Sequence, residues 1–377
     1  MSPVGPLRVL VVAPERHALR QPHAGGLEAV VWNRVRWLRS RGHDVRLCAA
    51  PGSDFLGTDP RLHLPSVQWN RADDSSDTDF PEGHRRFMGE AFDRIRDAFV
   101  DPEHVDVVDN HSLHGAPILW SRDTGVPVVT TLHTPPLPEI VIAANAVGAG
   151  APHRFLAVSQ FTARSWSAEG VDAFVFPNGV DSTQWRSGSG GNDWVWFGRI
   201  VPEKAPHLAI LAARRAGARL RLAGRIGDTA YFAREIEPLL GDGIEYVGPL
   251  ALPALCDLVG SSSVALVTPV WSEPFGLVLA EALMTGTPVA AFDSGGISEV
   301  LRGMPGTAIV PAGDVDSLAR AASSLAAQVG DAVSRAQVRR AAEARYSLAQ
   351  RNREVERVLA LSAHGAPAVD AVEAVGA

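Results

Sequence analysis

Twelve short, largely valine-rich apolar runs, separated by loops and stretches of helical periodicity, constrain this chain more than any other feature. The first six occupy 7–13, 45–49, 105–108, 126–131, 155–158 and 173–176. The second six occupy 194–198, 219–223, 244–247, 264–268, 288–292 and 307–310. Strands buried on both faces of a parallel sheet read as such continuous runs. Between the first two, Val30, Val31, Val35 and Leu38 recur at helical spacing until Gly42 stops the pattern. Strand–helix alternation of this kind predicts parallel sheets with helical crossovers. Two cycles of six strands in 377 residues predict two Rossmann-like α/β units rather than one oversized domain.

The boundaries are expected at 1–185 for the first unit and 186–346 for the second. The Ser-Gly-Ser-Gly-Gly-Asn stretch at 187–192 has the composition of a flexible linker. One long helix is expected over 331–363, its part from about 347 packing back on the first unit. The acidic stretch 70–79 reads as a mobile surface loop and 364–377 as a disordered tail. Ligands in such sheets lie outside the carboxyl ends of the strands, here in a cleft between two facing sheets.

Several classes are excluded. No run approaches the roughly 20 uncharged apolar residues of a membrane-spanning helix. The N-terminus also lacks a secretory pattern, so a soluble, cytoplasmic protein is expected. Cys48 and Cys256 lack partners at metal-ligand spacing and read as buried thiols. A net charge of −7 speaks against a nucleic-acid partner, which needs a basic face. The helical stretch 85–99 aligns Phe87, Ala91, Ile95 and Phe99, but Arg85, Arg86, Arg94 and Arg96 are mixed with Glu90, Asp93 and Asp97. Without net basicity this face suits core packing better than an anionic membrane. Membrane association therefore has weak support.

The chemistry concentrates in the second half. Of 35 basic residues, Lys204 is the one lysine. It closes Gly-Arg-Ile-Val-Pro-Glu-Lys, 198–204, directly after the first strand of the second unit. Arg199 and Lys204 there supply positive charge where a diphosphate leaving group gains negative charge. A surface ion pair with Glu203 is the competing reading. The segment Trp-Ser-Glu-Pro-Phe-Gly-Leu-Val-Leu-Ala-Glu, 271–281, places Glu273 and Pro274 in a turn. A helix is expected to begin near Phe275, with proline at its first position. The N–H groups of Phe275, Gly276 and Leu277 then form a phosphate site at the positive end of the helix dipole. Glu273 can accept from sugar hydroxyls. Glu281 stands roughly 9 Å along the helix, so two acids flank the phosphate site.

Weaker signals are paired glycines and histidines. Gly295–Gly296 after a strand, and Gly25–Gly26 before the first helix, allow close backbone approach to a ligand. His133 follows one strand of the first unit, and His111 and His114 follow another. A neutral imidazole there can bond a sugar hydroxyl or the acceptor, and a structural histidine is the alternative.

Taken together, these pieces resemble the retaining glycosyltransferases of family 4, which have the GT-B fold. The matching segments are 198–204, Glu-Pro-Phe-Gly with the second glutamate at 273–281, Gly-Thr-Pro-Val at 286–289, and Ser-Gly-Gly-Ile-Ser-Glu at 294–299. Pro-Asn-Gly-Val-Asp at 177–181 and the Gly25–Gly26 loop also fit, in family order across nearly the whole chain. The resemblance implies that Arg199 and Lys204 bind the diphosphate and Glu281 the ribose. It further implies that Glu273, with the backbone at Phe275 and Gly276, binds the donor sugar, and that His133 lies beside the reacting carbon. It implies a glycosyltransferase that retains anomeric configuration without a metal or cofactor. The donor is a nucleotide-diphosphate sugar, with UDP favoured and GDP or dTDP open, and the acceptor a small molecule or glycan. Ala205 departs from the family, which usually has glycine there. This is expected to tighten the helix start without removing the charge.

The enzymatic alternative is a sugar-nucleotide epimerase or a GT-B phosphorylase. A dinucleotide oxidoreductase needs Gly-x-Gly-x-x-Gly after the first strand, where this chain has Ala13-Pro-Glu-Arg. A non-catalytic sugar-binding module has no use for two cations set against a leaving group.

Overall fold

The computed structural model describes residues 5–65, 83–148, 150–328 and 331–365. The acidic stretch 70–79 lies outside them, as does the tail beyond 365. The described residues form two compact units, one from those up to 177 together with 350–365, the other from those within 178–349.

In the first unit the strands are β1 (Arg8–Val12), β2 (Asp44–Cys48), β3 (Val107–Asn110), β4 (Val128–Leu132), β5 (His153–Ala157) and β6 (Phe174–Val175). They form one sheet in the order β2-β1-β3-β4-β5-β6, and every pairing is parallel. The valine runs alternate between two covered faces. Val9, Val11 and Val107 face Val31, Val35 and Leu38 of the helix Gly26–Ser40, and Val355, Val358 and Leu359 of the C-terminal helix Leu348–Ala363. Leu10, Val12 and Val108 face Met88, Phe92 and Ile95 of the helix His84–Phe99. That packing uses the apolar face of 85–99: Ala91, Ile95 and Phe99 are buried, while Phe87 is exposed. Glu356 ties the C-terminal helix down, accepting from Arg41 Nε at 3.3 Å and lying 3.1 Å from His43 Nε2.

In the second unit the strands are β7 (Trp194–Phe197), β8 (Leu220–Ala223), β9 (Ile244–Gly248), β10 (Val264–Val267), β11 (Val289–Asp293) and β12 (Thr307–Pro311). The order is β12-β11-β10-β7-β8-β9, again all parallel. All twelve expected runs are therefore strands, in the two-sheet architecture of the GT-B fold.

Two local expectations are corrected. The stretch 331–363 is two helices, Ala332–Tyr346 and Leu348–Ala363. Between them Ser347 leaves the helical conformation, with φ −59° and ψ 115°, and pairs with Val180: Val180 N–H donates to Tyr346 O at 2.7 Å, and Leu348 N–H to Val180 O at 3.0 Å. The Ser-Gly stretch 187–192 is not a free linker but is held within the second unit. Gly188 N–H donates to Thr285 O and Gly190 N–H to Gly260 O, both at 2.9 Å. A side chain at 188 has no room, since a Cβ there falls 2.1 Å from Gly260 O.

Candidate active site

In each sheet the strand order reverses once, between β1 and β3 and between β7 and β10. Chain leaving these adjacent strands diverges, and the crevice at their carboxyl ends is where such folds take ligands. The second unit's predicted residues sit at that point. From β7 comes Gly198–Lys204, and from β10 comes the loop carrying Trp271 and Glu273.

The two segments are joined by charge. Lys204 Nζ donates to Glu273 Oε2 at 2.5 Å, and Trp271 Nε1 donates to the same oxygen at 3.0 Å. The Lys204 ammonium also lies 4.8 Å from the Trp271 ring centroid, within cation–π range. Glu273 Oε1 has no hydrogen-bond partner among the described residues. The backbone holds the arrangement: Val270 N–H donates to Glu203 O at 2.8 Å, and Thr268 Oγ1 to Lys204 O at 3.0 Å. Arg199 is buried and donates to Glu203 Oε1 at 2.9 Å, so the ion pair set against a ligand role for Arg199 is present. Trp271 is the residue that sequence reasoning missed. Its signal was an indole two positions before the loop glutamate.

The helix after Glu273 starts later than predicted. It runs from Leu277 to Met284, and Gly276 precedes it with φ 74°. That left-handed conformation cannot lie inside a right-handed first turn, so Pro274 is outside the helix and Phe275 does not open it. Leu277 is at the start. The Phe275 ring instead packs edge-on against Tyr346, with centroids 5.9 Å apart.

Glu281 is the one charge in the helix Leu277–Met284, whose residues Leu279, Ala280, Ala282, Leu283 and Met284 are buried. No hydrogen bond or ion pair engages its carboxyl among the described residues, and burial raises its pKa to about 8. An acid held this way accepts donors readily and gains by ionising when they arrive.

The glycines at 295 and 296 serve the protein's own loop. Gly296 N–H donates to Glu273 O at 2.7 Å, and a Cβ at Gly295 would stand 2.3 Å from that oxygen. They fix the loop that carries Glu273.

In the first unit, Gly25 caps the helix Gly26–Ser40 in extended conformation. A Cβ at Gly25 would lie 3.0 Å from Glu28 Oε2. His133 follows β4 and His111 follows β3. His133 Nε2 is 2.9 Å from His111 Nδ1, and His111 Nε2 is 3.2 Å from Asp109 Oδ1. Arg34 Nη1 donates to Asp109 Oδ2 at 3.0 Å. Burial alone would raise the Asp109 carboxyl, but His111 and Arg34 hold it down to about 2. Burial, reinforced by His111 and Arg34, lowers His133 well below the usual imidazole value, so its ring is neutral. His114 belongs to a different contact. Its Nε2 is 2.9 Å from Arg85 O and 3.2 Å from Glu139 Oε1, and its Nδ1 accepts from Ala116 N–H. It braces loops.

Comparison with known proteins follows the same division. The model "Glycosyltransferase Family 4" matches residues 24–184, and "Glycosyl transferases group 1" matches 191–328. The D-inositol 3-phosphate glycosyltransferase of Mycobacterium avium (strain 104) is 29% identical over 367 residues, 85% of each chain. That of Kribbella flavida is 32% identical over 281 residues, 62% of this chain and 66% of the relative. Among solved structures, sucrose-phosphate synthase from Thermosynechococcus elongatus superposes with a TM-score of 0.72 at 17% identity, over 93% of this chain and 97% of that one. Anabaena HepE in complex with UDP and glucose gives 0.71 at 18%, over 94% and 99%. No helix among the described residues is long and apolar enough to cross a membrane.

Proposed function

Since the chain belongs to the GT-B glycosyltransferases of family 4, we propose that it moves a sugar from a UDP-sugar to an acceptor hydroxyl with retention of configuration and without a metal. The observation that carries this reading is the Lys204–Glu273 contact, on the segment that runs on into the helix carrying the unpartnered Glu281. In the free protein each charge of the pair compensates the other. An arriving diphosphate offers Lys204 a stronger anion, and Arg199 stands on the same segment. Lys204 then turns to the phosphates, and the Glu273 carboxylate, still held by Trp271, accepts from the donor sugar's hydroxyls. Glu281 takes the ribose hydroxyls, which supply the donors its half-buried carboxyl lacks. The start of the helix at Leu277 presents its positive end to the phosphates. As the sugar–phosphate bond breaks, charge gathers on the leaving oxygen, and fixed cations lower that barrier without reorganisation. The same oxygen takes the acceptor's proton, and attack on the face it leaves retains configuration.

By the family resemblance, His133 is assigned to the reacting sugar and the Gly25–Gly26 loop to the donor's phosphate or sugar. The matched relatives' names make D-inositol 3-phosphate the first acceptor to try, followed by other polyols and glycans. The cytoplasm is the expected location for such a donor.

Thermal shift with UDP, GDP, dTDP and NAD tests the donor. UDP should raise Tm and NAD should not. A shift with NAD alone removes the proposal. Transfer from UDP-glucose should survive excess chelator, and strong inhibition would count against the metal-free step. An epimerase would instead convert the donor with no acceptor present and release no UDP.

A further inference from the structure

We propose that Trp271 is a positioning residue that keeps the Glu273 carboxylate compensated and aimed while Lys204 is drawn away to a diphosphate. The inference rests on the donor reading above and adds the residue that lets Lys204 leave.

One carboxylate oxygen carries both contacts. Glu273 Oε2 accepts from Lys204 Nζ at 2.5 Å and from Trp271 Nε1 at 3.0 Å. The two donors differ in what they can do. An indole N–H only donates, and its ring turns on two side-chain torsions. A lysine ammonium rides on a flexible four-carbon stem. The Lys204 side chain is 27% exposed and the Glu273 side chain 10%. Lys204 is therefore the partner able to swing out, and Glu273 the charge that stays behind.

A buried carboxylate that loses its only donor bears its desolvation in full. Trp271 prevents this because it is fastened to the same loop as Glu273 and not to the lysine. Ser294 Oγ donates to Trp271 O, and Gly296 N–H donates to Glu273 O at 2.7 Å. Both 271 and 273 are thus clamped to the residues that follow β11, whereas Lys204 belongs to the segment after β7. When the ammonium departs, the indole N–H remains where it was, on the same oxygen. The ring serves the lysine as well. Nζ stands 4.8 Å from the ring centroid, so the ammonium can release the carboxylate and keep a π face beneath it. Phenylalanine at 271 would keep that face and lose the N–H.

The test is calorimetry of UDP binding to the full chain, with folding followed by urea unfolding. Trp271→Phe should fold, because Lys204 still pairs with Glu273 in the free protein, and should bind UDP about tenfold more weakly. Glu273→Gln removes the charge that needs a partner. Trp271→Phe with Glu273→Gln should therefore bind UDP within about twofold of Glu273→Gln alone. A tryptophan that merely braced the loop would cost the same in both backgrounds, and that additive result overturns the assignment. So does unchanged UDP binding in Trp271→Phe. Should that variant unfold, hydrogen exchange of the Trp271 indole N–H in the unsubstituted protein decides instead. Exchange should slow when UDP binds and Glu273 rests on the indole alone, and unchanged or faster exchange overturns the proposal. Failure of UDP to bind the unsubstituted protein sinks the donor reading and this assignment with it. Retained binding with an additive cost removes Trp271 alone.

Discussion

Lys204 and Glu273, 69 positions apart in the chain, meet because their segments leave the two strands that flank the second sheet's reversal point. The contact makes each residue's substitution a test of the other.

Lys204→Ala should abolish transfer, by about a thousandfold or more, as expected for removing a charge that stabilises the leaving group. It also leaves the buried Glu273 carboxylate with Trp271 alone, at about 1–3 kcal/mol in stability. Lys204→Arg should not restore activity, because a planar fork cannot replace a compact ammonium seated over an indole ring. UDP release from UDP-glucose and urea unfolding measure the two effects. Near-normal turnover in Lys204→Ala at saturating donor would refute the assignment.

Glu273→Gln should impair UDP-glucose use more than binding of free UDP, since the carboxylate is assigned to sugar hydroxyls. Calorimetric Kd values for both ligands give the comparison. Equal weakening of the two would move Glu273 to the nucleotide.

Glu281 carries a pH signature. Its raised pKa, about 8, means that it is mostly protonated in the free protein at pH 6–7. Ribose hydroxyls donate best to the ionised form, so nucleotide binding should lower the pKa and release a proton. The Kd for UDP should then fall as pH rises from 6 to 8, by at most about tenfold per unit. Above 8 the gain ends. Glu281→Gln should flatten the profile and weaken binding throughout. Calorimetry in buffers of different ionisation enthalpy counts the proton directly.

Ala205 adopts φ 46°, ψ 52°, a left-handed conformation that glycine takes without strain. An L-residue there is strained by about 1–2 kcal/mol, partly offset by the smaller backbone entropy that alanine loses on folding. Ala205→Gly should therefore stabilise the protein by about 0.5–1 kcal/mol with turnover unchanged, as read from the urea midpoint. Destabilisation would show that packing of the buried methyl outweighs the strain.

Much of this was legible in the sequence because the signals are local. A buried parallel strand announces itself as a run of valines, and a lone lysine after such a run stands out against 34 arginines. What escaped depends on partners distant in sequence. The break at Ser347 follows from a bridge to Val180; its one local signal is Ser347 with Gln350 three residues on, a capping-box spacing that the single-helix reading of 331–363 passed over. The 187–192 stretch has linker composition, yet its glycines exist for close approach to Gly260. Proline at 274 resembles a helix opener, but Gly276 two residues later takes the conformation that delays the start. Asp109 and Arg34 read as an ordinary strand acid and a helix-face arginine until the fold sets them 3.0 Å apart.

The helix Leu348–Ala363 lends Val355, Val358 and Leu359 to the interior of the first unit. During synthesis, the leading six strands leave the ribosome well before the residues that seal one side of their sheet. A fragment ending near 177 should therefore be sticky and short-lived, and a recombinant first half needs the closing segment supplied, by fusion or as an added peptide.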